Sequence, residues 1–120
     1  MTINNLDTYI ENLWDWEILN GCFGDTKIAV TDIDGLVERR GKFLLIETKS
    51  IGKEIPNGQK YTFESLMKTG LFTILVVWGK RNTPQRMELY TVNSTLTYEN
   101  TNIEKMREIV RKWFVFASRK

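Results

Sequence analysis

The chain has 120 residues, 42% of them hydrophobic, with a single cysteine, no histidine and a formal net charge of +2. That length suits one compact domain, residues 1–120, and is too short for two independent cores, while no apolar run approaches the roughly 18 to 20 residues that span a bilayer. Without histidine, Ser-His-Asp and Cys-His hydrolysis and His-based zinc sites are excluded, so catalysis would have to use carboxylates, lysine and a metal ion.

Ile3, Leu6, Ile10, Leu13 and Trp14 recur at helical spacing, and the helix they predict should end near Asn20 and Gly21. The start MTINNLDTYIENLWDW lacks the basic opening and continuous apolar stretch of a secretion signal, and Cys22 has no partner for an internal disulfide. A cytoplasmic, reducing location is the expectation. Next, Lys27 to Leu36 alternates and is rich in β-branched residues, and Lys42 to Lys49 is also apolar. With Glu38 to Gly41 as the turn, they predict a β-hairpin. Gly52, Pro56 and Gly58 mark a loop, and Gln59 to Lys68 predicts a helix stopped by Gly70.

Leu71 to Trp78 is almost wholly apolar and too short for most helices, as expected of a central strand covered on both faces. A turn over Arg81 to Gln85 leads to an outer strand over Met87 to Val92. Asn102 opens a last helix whose stripe is Ile103, Met106, Ile109, Val110, Trp113 and Phe114, with basic residues near its C-terminus suiting the helix dipole. The expected order is αβββαββα. Charge is uneven along it: residues 1–35 hold seven acids and one base, whereas residues 36–101 hold ten bases and six acids. The last nineteen residues add six bases and two acids. The acidic part contains candidate metal ligands, and the basic remainder suits a phosphate backbone.

Alternate residues of a strand share a face, so Glu47 and Lys49 project together. A hairpin loop of two residues, Arg40-Gly41, or of four, Arg39 to Lys42, makes paired numbers sum to 81 and sets Asp34 opposite Glu47. A three-residue loop would separate the faces. Opposed carboxylates repel unless a cation compensates, and Mg²⁺ or Mn²⁺ accepts hard oxygen ligands while keeping waters, one of which could attack phosphorus. Lys49 would stabilise the developing charge. Asp32 has the same parity and reads as a salt-bridge partner.

Asp34 followed by Glu47-Thr48-Lys49 resembles the signature of the PD-(D/E)XK, or restriction-endonuclease-like, nucleases. The resemblance runs from the first helix through LFTILVVW. It implies an α/β fold with an αβββαβ core, a mixed central sheet flanked by helices, here with an added strand and C-terminal helix. It further implies Asp34 and Glu47 as metal ligands, the Thr48 carbonyl as a third, and Lys49 as the catalytic lysine. Glu17 on the first helix and Gln59 opening the second match positions that members use beside the site. Ile33 stands where the motif has Pro, a frequent relaxation, and Phe63 stands where one branch has Tyr, which argues against a close tie to RecB-like exonucleases. The small size and basic last helix look more like archaeal-type Holliday junction resolvases or stand-alone VRR-NUC proteins.

The expected activity is Mg²⁺-dependent hydrolysis of DNA, including branched or junction DNA, by an intracellular homodimer. Lys53, Lys60, Arg111 and Lys112 are candidates for phosphate contacts. Trp113, Phe114 and Phe116 could form a dimer interface, although packing of their helix on its own sheet explains them more simply. The alternative is a catalytically silent nuclease fold serving as a nucleic-acid or protein binding module.

Overall fold

A computed structural model of the chain describes residues 3–120. The chain divides into two compact units, Met1–Thr31 and Asp32–Lys120. In the first, helix α1 covers Ile3–Glu11 and a 3-10 turn covers Trp16–Leu19. The helix expected to run to Asn20 is cut short because the Asp15 carboxylate accepts the Glu17 N–H at 2.8 Å and starts a separate turn. No helix among the described residues is long and apolar enough to cross a membrane.

The second unit is an α/β arrangement on a five-stranded mixed sheet. Its elements are β1 (Gly35–Arg39), β2 (Lys42–Lys49), α2 (Asn57–Lys68), β3 (Phe72–Lys80), β4 (Thr83–Tyr90), β5 (Thr95–Tyr98) and α3 (Ile103–Ala117). The strands lie in chain order across the sheet. Only β2 and β3 run parallel, and α2 supplies the crossover that a parallel pair requires. Two strands therefore precede α2 and three follow it, in place of the expected αβββαββα. The strand expected from Lys27 is shortened to one that begins at Gly35, and β5 forms in a segment that the sequence reading assigned to no element.

Alternation along the central strand β3 divides the core into two layers. Leu75 and Val77 face α3 and meet Leu44, Met87, Ile109, Trp113 and Ala117; Ile74, Val76 and Trp78 face α2 and meet Leu45, Ile55 and Phe63. Asn102 caps α3 by accepting the Lys105 N–H at 2.9 Å. Its last turn holds no basic residue, contrary to the dipole expectation, because Arg119 and Lys120 fall beyond the helix. Between β3 and β4 the expected five-residue turn shrinks to Arg81-Asn82, with Pro84 inside β4 opposite Gly79. The ladder shifts between Trp78 and Gly79. A Cβ on Gly79 would come within 2.2 Å of the Thr83 carbonyl oxygen, so the close approach of these strands requires glycine.

Candidate active site

The β1–β2 hairpin closes through Arg40 and Gly41, both at positive φ, the two-residue turn whose twist matches its strands. Pairs from Arg39 with Lys42 to Gly35 with Ile46 set the register, and the next pair in that register is Asp34 with Glu47. The main-chain ladder stops there for a chemical reason. Asp34 Oδ2 accepts both the Thr48 N–H, at 2.8 Å, and the Thr48 hydroxyl, at 3.0 Å. A carboxylate thus takes the donor that a carbonyl at position 33 would have taken in a continued ladder, which is why the strand expected from Lys27 does not pair. Because N–H and C=O of one strand residue point the same way, the Thr48 carbonyl lies on this edge too.

Glu47 is only 8% exposed, whereas Asp34 is open to solvent. Their carboxyl groups are within hydrogen-bonding reach of each other. Burial, together with the hydrogen bond and charge of Asp34, pushes Glu47 up to about 7 despite opposition from Lys49 and Gln59. Burial also pushes Asp34 upward, but the donors from Thr48 and Glu47 and the charge of Lys49 outweigh it, leaving that carboxyl below its ordinary value. The two acids therefore share a proton near neutrality and titrate as a pair.

Carboxylates set this close are relieved either by a proton or by a divalent cation. Asp34, Glu47 and the Thr48 carbonyl make a hard oxygen set that fits Mg²⁺ or Mn²⁺. Gln59 supports that fit: it lies beside Glu47, and its buried Oε1 has no hydrogen-bond partner, as expected next to a site that holds ordered water. Among the described residues no group of three or more His, Cys, Asp or Glu is placed to hold a metal ion. Mg²⁺ needs fewer, since one or two carboxylates with retained waters suffice.

Asp34, Glu47, Thr48, Lys49 and Gln59 come together at one end of the hairpin. Lys53 and Lys60 lie on the α2 side and border a cavity there whose wall includes Trp78 and Arg86 but none of those five residues. Arg111 and Lys112 do not join them, since α3 covers the opposite face and Lys112 is paired with Glu108 at 3.1 Å. Glu17, expected on the first helix, is exposed in the 3-10 turn of the N-terminal unit. Trp113 is core, while Phe114 and Phe116 stay exposed beneath the cations of Arg39 and Lys42. Sequence reasoning missed Arg86, Glu88 and Tyr90, which line the α2 face of β4. Their i, i+2, i+4 spacing carried the signal. Compared with known protein families, characterised proteins and solved structures, the chain shows no match.

Proposed function

We propose that this chain is a Mg²⁺-dependent nuclease that hydrolyses phosphodiester bonds in DNA, working as an intracellular homodimer. The observation that carries the reading is the paired Asp34 and Glu47 at the mouth of a hairpin, with the charge of Lys49 acting on both. It rests also on the resemblance of these residues to the PD-(D/E)XK signature. When bound, the metal would supply a Lewis acid and lower the pKa of water.

The protein's own groups divide the remaining work. Thr48 fixes Asp34 through two hydrogen bonds, so one ligand is oriented before any metal arrives. Glu47 must release its proton to become a ligand, and Lys49 favours that release. During attack on phosphorus the ammonium of Lys49 offsets charge growing on the phosphoryl oxygens. Gln59 beside Glu47 favours its charged form.

Labelled single-stranded, linear, flap and four-way-junction DNA, incubated with Mg²⁺, Mn²⁺ or chelator, tests the reading. Metal-dependent cleavage is expected, falling at least about 100-fold in Lys49→Ala and Asp34→Asn. Cleavage that survives both substitutions refutes it. Failure to cut any substrate, with tight metal-independent binding, would instead establish a binding module.

A further inference from the structure

The face that carries Glu47 and Lys49 continues across the sheet. Lys49 is in register with Trp78, and Trp78 with Arg86; Glu47 is in register with Val76, and Val76 with Glu88. At about 4.8 Å per strand, Arg86 stands roughly 10 Å from Lys49. Beside this row lies a cavity of about 630 Å³, bordered by Ile51, Lys53, Ile55, Lys60, Arg86 and Tyr90. Its volume is in the range of sites that enclose a small organic molecule. The indole N–H of Trp78 donates to the Lys53 carbonyl at 2.6 Å, tying the loop after β2 to the cavity wall.

Arg86 is not held as a phosphate clamp would be. Its Nε donates to Glu99 at 2.7 Å, its Nη2 donates to Glu88 at 2.8 Å, and its guanidinium carbon sits 4.7 Å from the centre of the Trp78 ring. Glu88 also accepts the Tyr90 hydroxyl, so both of its oxygens are engaged. Two carboxylates neutralise the guanidinium and fix its plane, yet the side chain is still 34% exposed and lines the cavity. What remains on offer is a flat, immobilised surface, and a guanidinium plane is a platform on which nucleobases stack.

We infer that Arg86 stacks one unpaired nucleobase of the strand being cut, with Lys53 and Lys60 beside the flanking phosphates. The inference rests on the nuclease reading and narrows its substrate. A base reaches a concave site only after leaving its duplex stack, so the substrate carries unpaired nucleotides next to the scissile bond. Flaps, forks and single strands meet that condition. Continuous duplex and a fully paired four-way junction do not.

The test is binding in chelator, where no metal supports cutting, to a DNA hairpin whose single-stranded tail contains 2-aminopurine. A blunt hairpin and a tail with an abasic residue in place of 2-aminopurine serve as comparisons. Binding should change the 2-aminopurine fluorescence, and the abasic tail should bind about tenfold more weakly. Arg86→Lys keeps the charge but loses the plane, so it should weaken the tailed DNA by a similar factor and leave the blunt hairpin unchanged. Its thermal melting is measured alongside, and the abasic comparison requires no variant at all. Equal affinity for base-bearing and abasic tails overturns the platform. If cleavage depends on Asp34 and Lys49 but ignores the tail, the nuclease reading stands and the platform falls. Should nothing be cut while the tailed DNA binds through its base, the platform stands alone.

Discussion

Glu47 enters the neutral range protonated because it is buried against a second acid, and two pH signatures follow. Its folded value, about 7, exceeds the ordinary 4.5, so its contribution to stability is complete below about 4.5 and is lost as pH rises through about 7. Asp34 has the opposite sign, since its lowered value favours the folded state until pH falls below the ordinary 3.8. Without metal, thermal melting should therefore show a fall in stability between about pH 4.5 and pH 7 that Glu47→Gln abolishes. Mg²⁺ should bind more tightly as pH rises through the same window and release a proton as it does. Calorimetric titration in two buffers of different ionisation enthalpy reads that proton directly; a buffer-independent heat would contradict the shared-proton pair.

At the scale of elements, the turn Arg40-Gly41 controls whether the acids meet at all. Arg40 sits at φ 53°, a region that Asn tolerates better, so Arg40→Asn should raise stability by about 0.5 kcal/mol in chemical denaturation. One residue inserted between Arg40 and Gly41 should place Asp34 and Glu47 on opposite faces. Metal binding would then vanish while cooperative melting persists. Gly79→Ala should cost more than about 1 kcal/mol, because Thr83 leaves no room for a methyl group. The sum rule of the hairpin was legible in the sequence, since it needed only the turn and a period of two. The stop at Gly35 was not, because it depends on a side chain, Asp34, taking a main-chain donor across the hairpin. Glu17 lies in a 3-10 turn and not on the first helix for a related reason: the Asp15 carboxylate competes with the helix for the Glu17 N–H. β5 escaped notice because Thr95–Tyr98 is four residues long and largely exposed.

Across the second unit, the sheet separates two tasks by face. The α2 side carries Glu47, Lys49 and the cavity beside Arg86, whereas on the α3 side Ile109, Trp113 and Ala117 pack an apolar layer against the sheet. Met87→Ala, which empties a fully buried position on the α3 side, should cost about 2 to 5 kcal/mol and leave cleavage per folded molecule unchanged. Denaturant titration paired with active-site counting separates those effects. The parallel pairing of β2 with β3 also has a kinetic consequence. The β1–β2 and β3–β4 hairpins close locally, but Phe43 can meet Phe72 only after the intervening chain, including α2, has been drawn across. Asp34 and Glu47 can thus be neighbours while Glu47 is still hydrated, and its proton is taken up only when β3 and α2 arrive. The crossover should set the pace of refolding, and between about pH 5 and pH 7 that late step should appear in stopped-flow traces as uptake of a proton from solution.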